Sequence, residues 1–134
     1  MALLSVDVRN AMLNALIATI GASPVIEIRT GTAPTRTTAA DSGTLLAFFQ
    51  LGASWAPAAA DGSIHLSGAP LTATAPATGQ AGHFRLKSSG GVTHFIGTVT
   101  ETDDEDPGDM TLETLDIFSG RLVTITSWHI NTPS

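Results

Sequence analysis

The stretch AGHFRLKSSGGVTHFIGTVTE, residues 81–101, decides the fold of this chain. In its first half apolar and polar residues alternate, so that Phe84 and Leu86 share one side of a strand. The polar residues share the other side: His83, Arg85 and Lys87. The next four residues, SSGG at 88–91, predict a tight turn, because glycine readily adopts the positive φ that such a reversal needs.

The second half of the stretch runs back as another strand. It is rich in β-branched residues and places Phe95 and Val99 on one face. The opposite face receives Val92, His94 and Ile96. Two such runs joined by a short turn that contains glycine predict a β-hairpin. Since an isolated hairpin is marginal in water, it must pack its apolar face against further strands.

Other short apolar runs can supply those strands. They lie at residues 24–31, 45–51, 63–67, 110–118 and 121–130, and residues 68–82 fit an extended edge strand. In the first run Ile26 and Ile28 point inward, while Glu27 and Arg29 point outward. The run at 110–118 predicts a strand kinked near Glu113, with a short helix as the alternative. The last run alternates without interruption.

One helix precedes the strands, at about residues 5–21. Its apolar residues follow the i, i+3, i+4, i+7 spacing of an amphipathic helix: Leu13, Leu16, Ile17 and Ile20. Ser5 can cap its start and Gly21 can end it. A secretory signal is the alternative, but polar residues interrupt the apolar run: Asp7, Arg9, Asn10 and Asn14.

The sequence therefore predicts an all-β fold with one N-terminal helix. About seven or eight short strands with regular turns favour an antiparallel β-sandwich of the jelly-roll type. No repeat or linker divides the chain, so we expect one domain spanning residues 1–134.

Composition excludes several classes of function. The net charge is −6 and the six basic residues are scattered, which argues against direct binding of nucleic acid. No run of 18 or more apolar residues predicts a membrane span. There are no cysteines, so disulfides and thiolate zinc sites are excluded. Charged residues make up 13% of the chain, against about 25% in ordinary domains. A surface with few charged residues suits packing against other subunits, although a GC-rich genome would give the same composition.

No pattern of metal or cofactor ligands is evident. Residues 101–109 hold the one dense carboxylate cluster: Glu101, Asp103, Asp104, Glu105, Asp106 and Asp109. Its spacing does not match an EF-hand, so a solvated loop is favoured over a calcium site. The four histidines lack the spacing of local metal ligands: His65, His83, His94 and His129. We therefore expect no metal and no cofactor.

Catalytic motifs are also missing from the sequence. It contains no G-x-S-x-G element and no glycine-rich phosphate loop. The sequence therefore favours a protein that is not an enzyme. Of the two tryptophans, Trp128 alternates with apolar strand residues and fits the core. Trp55 lies beside Pro57 and could instead anchor an interface.

Several stretches together resemble a known group of proteins. They are RNAMLNALIATIG, VIEIRTGTAP, GTLLAFFQL, ADGSI, GHFRLKSSGG and VTITSWHI, and they span roughly residues 9–130. This combination is similar to small structural proteins, rich in Ala, Thr and Gly, that are encoded among the head genes of tailed bacteriophages. Some of these are capsid cement or decoration proteins with a jelly-roll fold. The acidic loop at 101–109 departs from their pattern.

The resemblance implies a mechanical function. A cement protein binds the outside of an icosahedral head and bridges neighbouring major capsid subunits, which stabilises the shell against the pressure of packaged DNA. The implied partners are the major capsid protein and further copies of this chain, as a homodimer or homotrimer. The implied location is the virion exterior, after assembly in the host cytoplasm. A glycan-binding jelly-roll module of a tail or host-recognition protein and a low-copy tail or head-completion protein are the alternatives.

Loops carry binding more often than strands do, which indicates where contacts should lie. We expect contacts from the N-terminal segment, from the loop at 32–44 and from the loop around Trp55. The candidate interface residues are Leu3, Leu4, Thr35, Arg36, Trp55 and Pro57.

Overall fold

The structure is a computed structural model that describes residues 4–56, 58–65, 71–105 and 109–131. One helix, α1, runs from Val6 to Ile20. The described strands are β1 (Val25–Thr30), β2 (Leu45–Gln50), β3 (Ser63–His65), β4 (Leu71–Thr74), β5 (Gly79–Lys87), β6 (Thr93–Glu101), β7 (Met110–Leu112), β8 (Asp116–Ile117) and β9 (Leu122–Asn131). The prediction of an all-β fold with one N-terminal helix is confirmed.

The strands form one curled sheet. Its path is β2-β1-β5-β6-β7-β9-β3, while β4 pairs with β9 and β8 pairs with β5 beside that path. The sheet curls far enough for β2 to contact β4, although the two are not joined by a described ladder. A sandwich of two separate sheets is therefore not confirmed.

The expectation of a wholly antiparallel sheet is wrong at one pair. β6 and β7 are parallel, with Val99 opposite Met110, and the other described pairs are antiparallel. The acidic residues 101–109 lie between these two strands in the chain. The chain then bends at Glu113, which confirms the predicted kink, and the alternative of a short helix in this segment is wrong.

The hairpin that decides the fold is confirmed. In the turn, the Ser88 N–H donates to the Val92 carbonyl (2.9 Å), and the Gly91 N–H donates to the Ser88 carbonyl (2.9 Å). Gly91 has φ 90°, a conformation that glycine adopts without strain. Phe84 and Leu86 are fully buried on the inner face, and Phe95 packs on Phe84 with ring centroids 5.8 Å apart.

The last strand departs from its sequence pattern. Leu122 is exposed and Val123 and Ile125 are buried, but further along Trp128 and Ile130 are the buried residues. A β-bulge around Thr126 shifts the register against β7 and moves the inward face by one residue. The Thr126 hydroxyl is satisfied at the bulge by the Thr111 and Thr102 hydroxyls, at 2.7 Å and 2.8 Å.

Helix α1 is held by its predicted caps. The Ser5 side chain accepts from the Val8 N–H (3.2 Å), and the Gly21 N–H donates to the Ile17 carbonyl (3.0 Å). The side chains of Asn10 and Asn14 accept from the N–H groups of Gly62 and Ala59, at 2.8 Å each. These bonds tie the helix to the segment before β3. Four apolar side chains face the core, two of them fully buried: Leu13, Leu16, Ile17 and Ile20.

Candidate functional site

The outer face of the sheet carries charged residues along β1 and β5. In register across the strands, Phe48 lies opposite Glu27, Glu27 opposite Arg85, and Arg85 opposite Ile96. The next rows place Lys87 and Arg29 on the same face of β5 and β1. The sheet thus collects three cations and one carboxylate, with an apolar residue at each end of the central row.

A loop, residues 31–44, crosses this face, and we call it the strap loop. The guanidinium of Arg85 donates to the carbonyls of Ala39 (3.1 Å) and Ala40 (2.9 Å). The Asp41 carboxylate accepts from Lys87 (2.8 Å) and lies 3.3 Å from Arg29 and 3.4 Å from Arg85. Lys87 and Arg29 also pair with Glu27, at 3.1 Å and 3.0 Å. The strap loop is therefore fixed to the sheet by a cluster of five charged residues, the ion cluster.

The ion cluster lowers the pKa of Asp41. The hydrogen bond from Lys87 lowers the pKa of Asp41 below its ordinary value, while partial burial opposes this shift. The charges of Lys87, Arg29 and Arg85 lower that pKa further. Asp41 is therefore held ionised in the folded protein, where its charge supports the strap loop.

Glu27 and Arg29 are less exposed than their position on the outer face of β1 predicts. Glu27 and Arg29 lie on the predicted outer face of β1, but they do not point into open solvent. Glu27 is 9% exposed and the Arg29 side chain 13%, because the loop covers them. Arg85 is 1% exposed. The loop at 32–44 was expected to carry contacts with a partner, and the structure shows that residues 39–41 are anchored to the sheet.

Close backbone contacts anchor the two ends of the strap loop. A side chain on Gly43 would collide with the Thr30 carbonyl, and one on Gly82 would collide with the Gly31 backbone. The Thr44 N–H donates to the Thr30 hydroxyl (2.8 Å). His83 is fully buried, and its Nδ1 lies 3.1 Å from the Gly31 carbonyl. These contacts hold the loop against β1 and β5.

Two of the predicted contact residues lie on the exposed part of the strap loop. Thr35 and Arg36 are both exposed, and with Pro34 and Thr37 they form one wall of a groove. The facing wall comes from the start of β6: His94, Phe95 and Ile96. The groove has a volume of about 240 Å³. Their exposure makes both residues available to a partner.

The solvent-facing part of α1 differs from the expectation. The helix buries its predicted face, but apolar side chains in its first two turns stay in solvent. Val6, Val8 and Met12 are 45%, 46% and 48% exposed, and Leu4 just before the helix is 38% exposed. We call these four residues the helix patch. Leu4 was predicted as a contact residue, whereas Leu3 lies outside the described residues.

Trp55 does not lie at the surface. It is 3% exposed, its indole N–H donates to the Gly21 carbonyl (2.9 Å), and its ring centroid lies 5.9 Å from that of Trp128. The expectation that Trp55 contacts a partner is therefore wrong, because the residue instead fastens the end of α1 to the core. Trp128 is buried as predicted. Pro57 lies outside the described residues.

The acidic loop has both tied and exposed carboxylates. Glu101 accepts from the Leu115 N–H (3.2 Å), and Asp109 accepts from the Thr98 N–H (3.2 Å). Asp103, Asp104 and Glu105 are exposed, and Asp106 lies outside the described residues. Over the described ranges, no group of three or more His, Cys, Asp or Glu side chains is arranged to hold a metal ion.

The histidines separate into different places. His65 and His129 lie opposite each other on β3 and β9, with ring centroids 6.0 Å apart. His83 lies beneath the strap loop and His94 in the groove. A larger groove of about 400 Å³ lies between residues 113–118 and the start of β9, beside exposed Phe118 and Leu122. Sequence periodicity did not single out this groove, nor Val8 and Met12 of the helix patch.

Comparison with known proteins identifies no relative of this chain. No family model, no curated protein and no solved structure matches the chain. Among the described residues, no helix has the length and apolar character needed to cross a membrane.

Proposed function

We propose that this protein is a structural virion component, a capsid cement protein that binds the outer surface of a phage head. In this role it bridges major capsid subunits and stabilises the shell against internal DNA pressure. The proposal includes a jelly-roll arrangement of the curled sheet, location on the virion exterior and a non-catalytic role. The resemblance of the sequence to head-gene structural proteins supplies the identity of the partner.

The observation that carries a binding role is the helix patch. Val6, Val8 and Met12 are each nearly half exposed in the first two turns of α1, next to Leu4. Asp7 and Arg9 flank Val8 in the helix sequence, and no other charged residue lies between Leu4 and Ile20. Val8 and Met12 lie four residues apart on one face of the helix, and exposed apolar surface rimmed by polar residues marks sites of protein contact. The patch fits a surface that the shell covers on assembly.

Weak individual contacts suffice for such a role. Burying the remaining exposed half of Val8 and Met12 would contribute about 2 kcal/mol together. A head offers many equivalent sites, and an oligomeric cement protein gains avidity by engaging several of them at once. The helix patch supplies the proposed contact with the shell, and the exposed residues Thr35 and Arg36 of the strap loop are available for a further contact.

The burial of both tryptophans bears on the glycan-binding alternative. That alternative drew on an exposed aromatic ring for stacking on sugars, and both Trp55 and Trp128 are buried. Its other support, a calcium site in the acidic loop, has no ligand set among residues 101–105 and 109. The cement proposal does not depend on either feature.

Cosedimentation tests the proposal. Purified chain is added to heads stripped of it, and the bound fraction is measured for wild type and for the double substitution V8E/M12E. We expect the double substitution to weaken binding roughly thirtyfold, the equivalent of about 2 kcal/mol. V92E is the matched control, because Val92 is an exposed apolar residue (57%) at the hairpin turn. Equal binding of V8E/M12E and wild type, or no binding of wild type, contradicts the proposal.

A further inference from the structure

The groove between the strap loop and β6 has an unusual charge for this chain. One guanidinium and one imidazole line it, from Arg36 and His94, together with the hydroxyls of Thr35 and Thr37. No carboxylate lines it among the described residues, although the chain has a net charge of −6. Phe95 and Ile96 add apolar surface to the wall that β6 contributes. Such a lining is complementary to a segment that carries carboxylates.

Arg36 differs from the cations of the ion cluster. Arg29, Arg85 and Lys87 each form an ion pair with Asp41, and Arg29 and Lys87 also pair with Glu27, beneath the strap loop. Arg36 is exposed and forms no ion pair with the part of the chain that the structure describes. Its guanidinium offers a planar fork of donors, which suits a carboxylate.

The complementary charge lies at the other end of the same strand. Asp103 and Glu105 are exposed in the acidic loop, and neither forms an ion pair within the described ranges. The groove lies at the start of β6, which runs from Thr93 to Glu101, and the acidic loop follows its end. At roughly 3.3 Å per residue, the strand separates the two by about 25 Å. One copy of the chain therefore cannot neutralise its groove with its own loop.

We infer that residues 103–105 of the acidic loop of one copy dock in the groove of a second copy. A carboxylate of Asp103 or Glu105 accepts from the Arg36 guanidinium, and the His94 imidazole and the threonine hydroxyls supply further donors. The bound loop covers Phe95 and Ile96. This contact gives the acidic loop a partner and deepens the proposed function, since a cement protein that self-associates binds a shell with avidity.

The inference rests on the proposed function for its purpose, but its test uses the purified chain alone. Failure to self-associate and failure to bind heads are therefore distinguishable. Because exposed ion pairs are individually weak and are screened by salt, the association should be strongest at low ionic strength.

Charge exchange tests the contact. Sedimentation equilibrium measures the association of wild type, R36E and D103K/E105K in about 20 mM and about 300 mM salt. We expect wild type to self-associate at low salt and each variant to associate at least tenfold more weakly. An equimolar mixture of the two variants should form a heteromer, because the carboxylate that R36E introduces then meets the ammonium groups that D103K/E105K introduces. R121E is the matched control for R36E, since Arg121 is also exposed and the substitution changes the net charge equally.

Several results would overturn the inference. Wild type that remains a monomer at low salt excludes the contact. If R36E and R121E weakened self-association equally, the change in net charge alone would explain the effect, and the contact with Arg36 would be excluded. A mixture of R36E and D103K/E105K that stays dissociated would show that the loop does not occupy the groove, and so would a D103K/E105K protein that associates like wild type. Near-ultraviolet circular dichroism checks that each variant is folded.

Discussion

The ammonium group of Lys87 lies 2.8 Å from the carboxylate of Asp41 and joins the end of β5 to the strap loop. Lys87 also contacts Glu27 (3.1 Å), so it bridges a carboxylate of the sheet and a carboxylate of the loop. Arg29 makes the same pair of contacts from β1. The two basic residues thus hold the strap loop over a face that would otherwise be open, and this arrangement supports the first two predictions.

Replacing Asp41 with Asn should loosen the strap loop. The substitution removes the one loop carboxylate in the cluster and leaves Arg29, Arg85 and Lys87 with Glu27 alone. Because the Asp41 side chain is 39% exposed, solvent screens the interaction, and we expect a loss of about 1 kcal/mol in the free energy of unfolding. Urea denaturation measures this loss, and faster amide exchange at residues 39–44 locates it. No change in either measurement would contradict the assigned role of Asp41.

The effect of Asp41 should depend on pH in a definite direction. Its pKa in the folded protein lies below the ordinary value of 3.8, so the unfolded chain takes up a proton first as the pH falls. The stabilisation by Asp41 is present above about pH 4 and disappears as the pH falls through the lower pKa of the folded state. The difference in unfolding free energy between wild type and D41N should therefore shrink below about pH 4. A difference that stays constant down to about pH 2 would contradict this assignment.

Gly82 should tolerate no side chain. A Cβ at this position would collide with the Gly31 backbone, where the strap loop leaves β1. We expect G82A to destabilise the protein by about 2 kcal/mol through overpacking. G90A is the control, because a Cβ there meets only the Ser88 hydroxyl at 3.8 Å, an ordinary contact. Thermal unfolding of both variants gives the comparison, and equal stability would mean that the strap loop shifts without cost.

The two buried tryptophans should respond differently to replacement by Phe. W55F loses the hydrogen bond to the Gly21 carbonyl, whereas the indole N–H of Trp128 has no hydrogen-bond partner among the described residues. Since only W55F gives up a hydrogen bond, W55F should lose about 1 kcal/mol more than W128F. Urea unfolding followed by circular dichroism measures both variants. A larger loss for W128F would show that ring packing outweighs the hydrogen bond.

Local signals in the sequence were sufficient to predict the helix and the hairpin, whose ends are marked by capping and turn residues. Ser5 and Gly21 delimit the helix, and Gly91 in the SSGG cluster forms the hairpin turn, because each residue acts on backbone groups within four residues of itself. The kink near Glu113 was also foreseen. These features depend on nearest neighbours along the chain, which a sequence displays directly.

Contacts between distant segments could not be read in the same way. The alternation of residues 121–130 gives no sign of the bulge at Thr126, which depends on hydroxyls of Thr102 and Thr111. Glu27 and Arg85 have the character of solvent-facing strand residues, but the strap loop crosses over them. The loop brings Asp41 and two carbonyls to Arg85, whereas Glu27 pairs with Arg29 and Lys87 of the sheet. The burial of both residues therefore depends on a segment distant in sequence.

The exposure of the candidate contact residues could be predicted only in part, because contacts between distant segments decide which residues are buried. Thr35, Arg36 and Leu4 are exposed as a contact residue requires, whereas Trp55 is buried by its ring contact with Trp128. A proline-flanked tryptophan has the same local sequence whether it faces solvent or the core. The other members of the helix patch, Val6, Val8 and Met12, were missed because apolar periodicity shows which residues can be buried, and it does not show which residues the rest of the fold leaves uncovered.

The number of copies of this chain per head tests the cement proposal most directly. Quantitative mass spectrometry of purified virions gives the ratio of this chain to the major capsid protein. We predict hundreds of copies of this chain on each head. A count of a dozen or fewer would identify a tail or head-completion protein instead, and absence from the virion would contradict the account altogether.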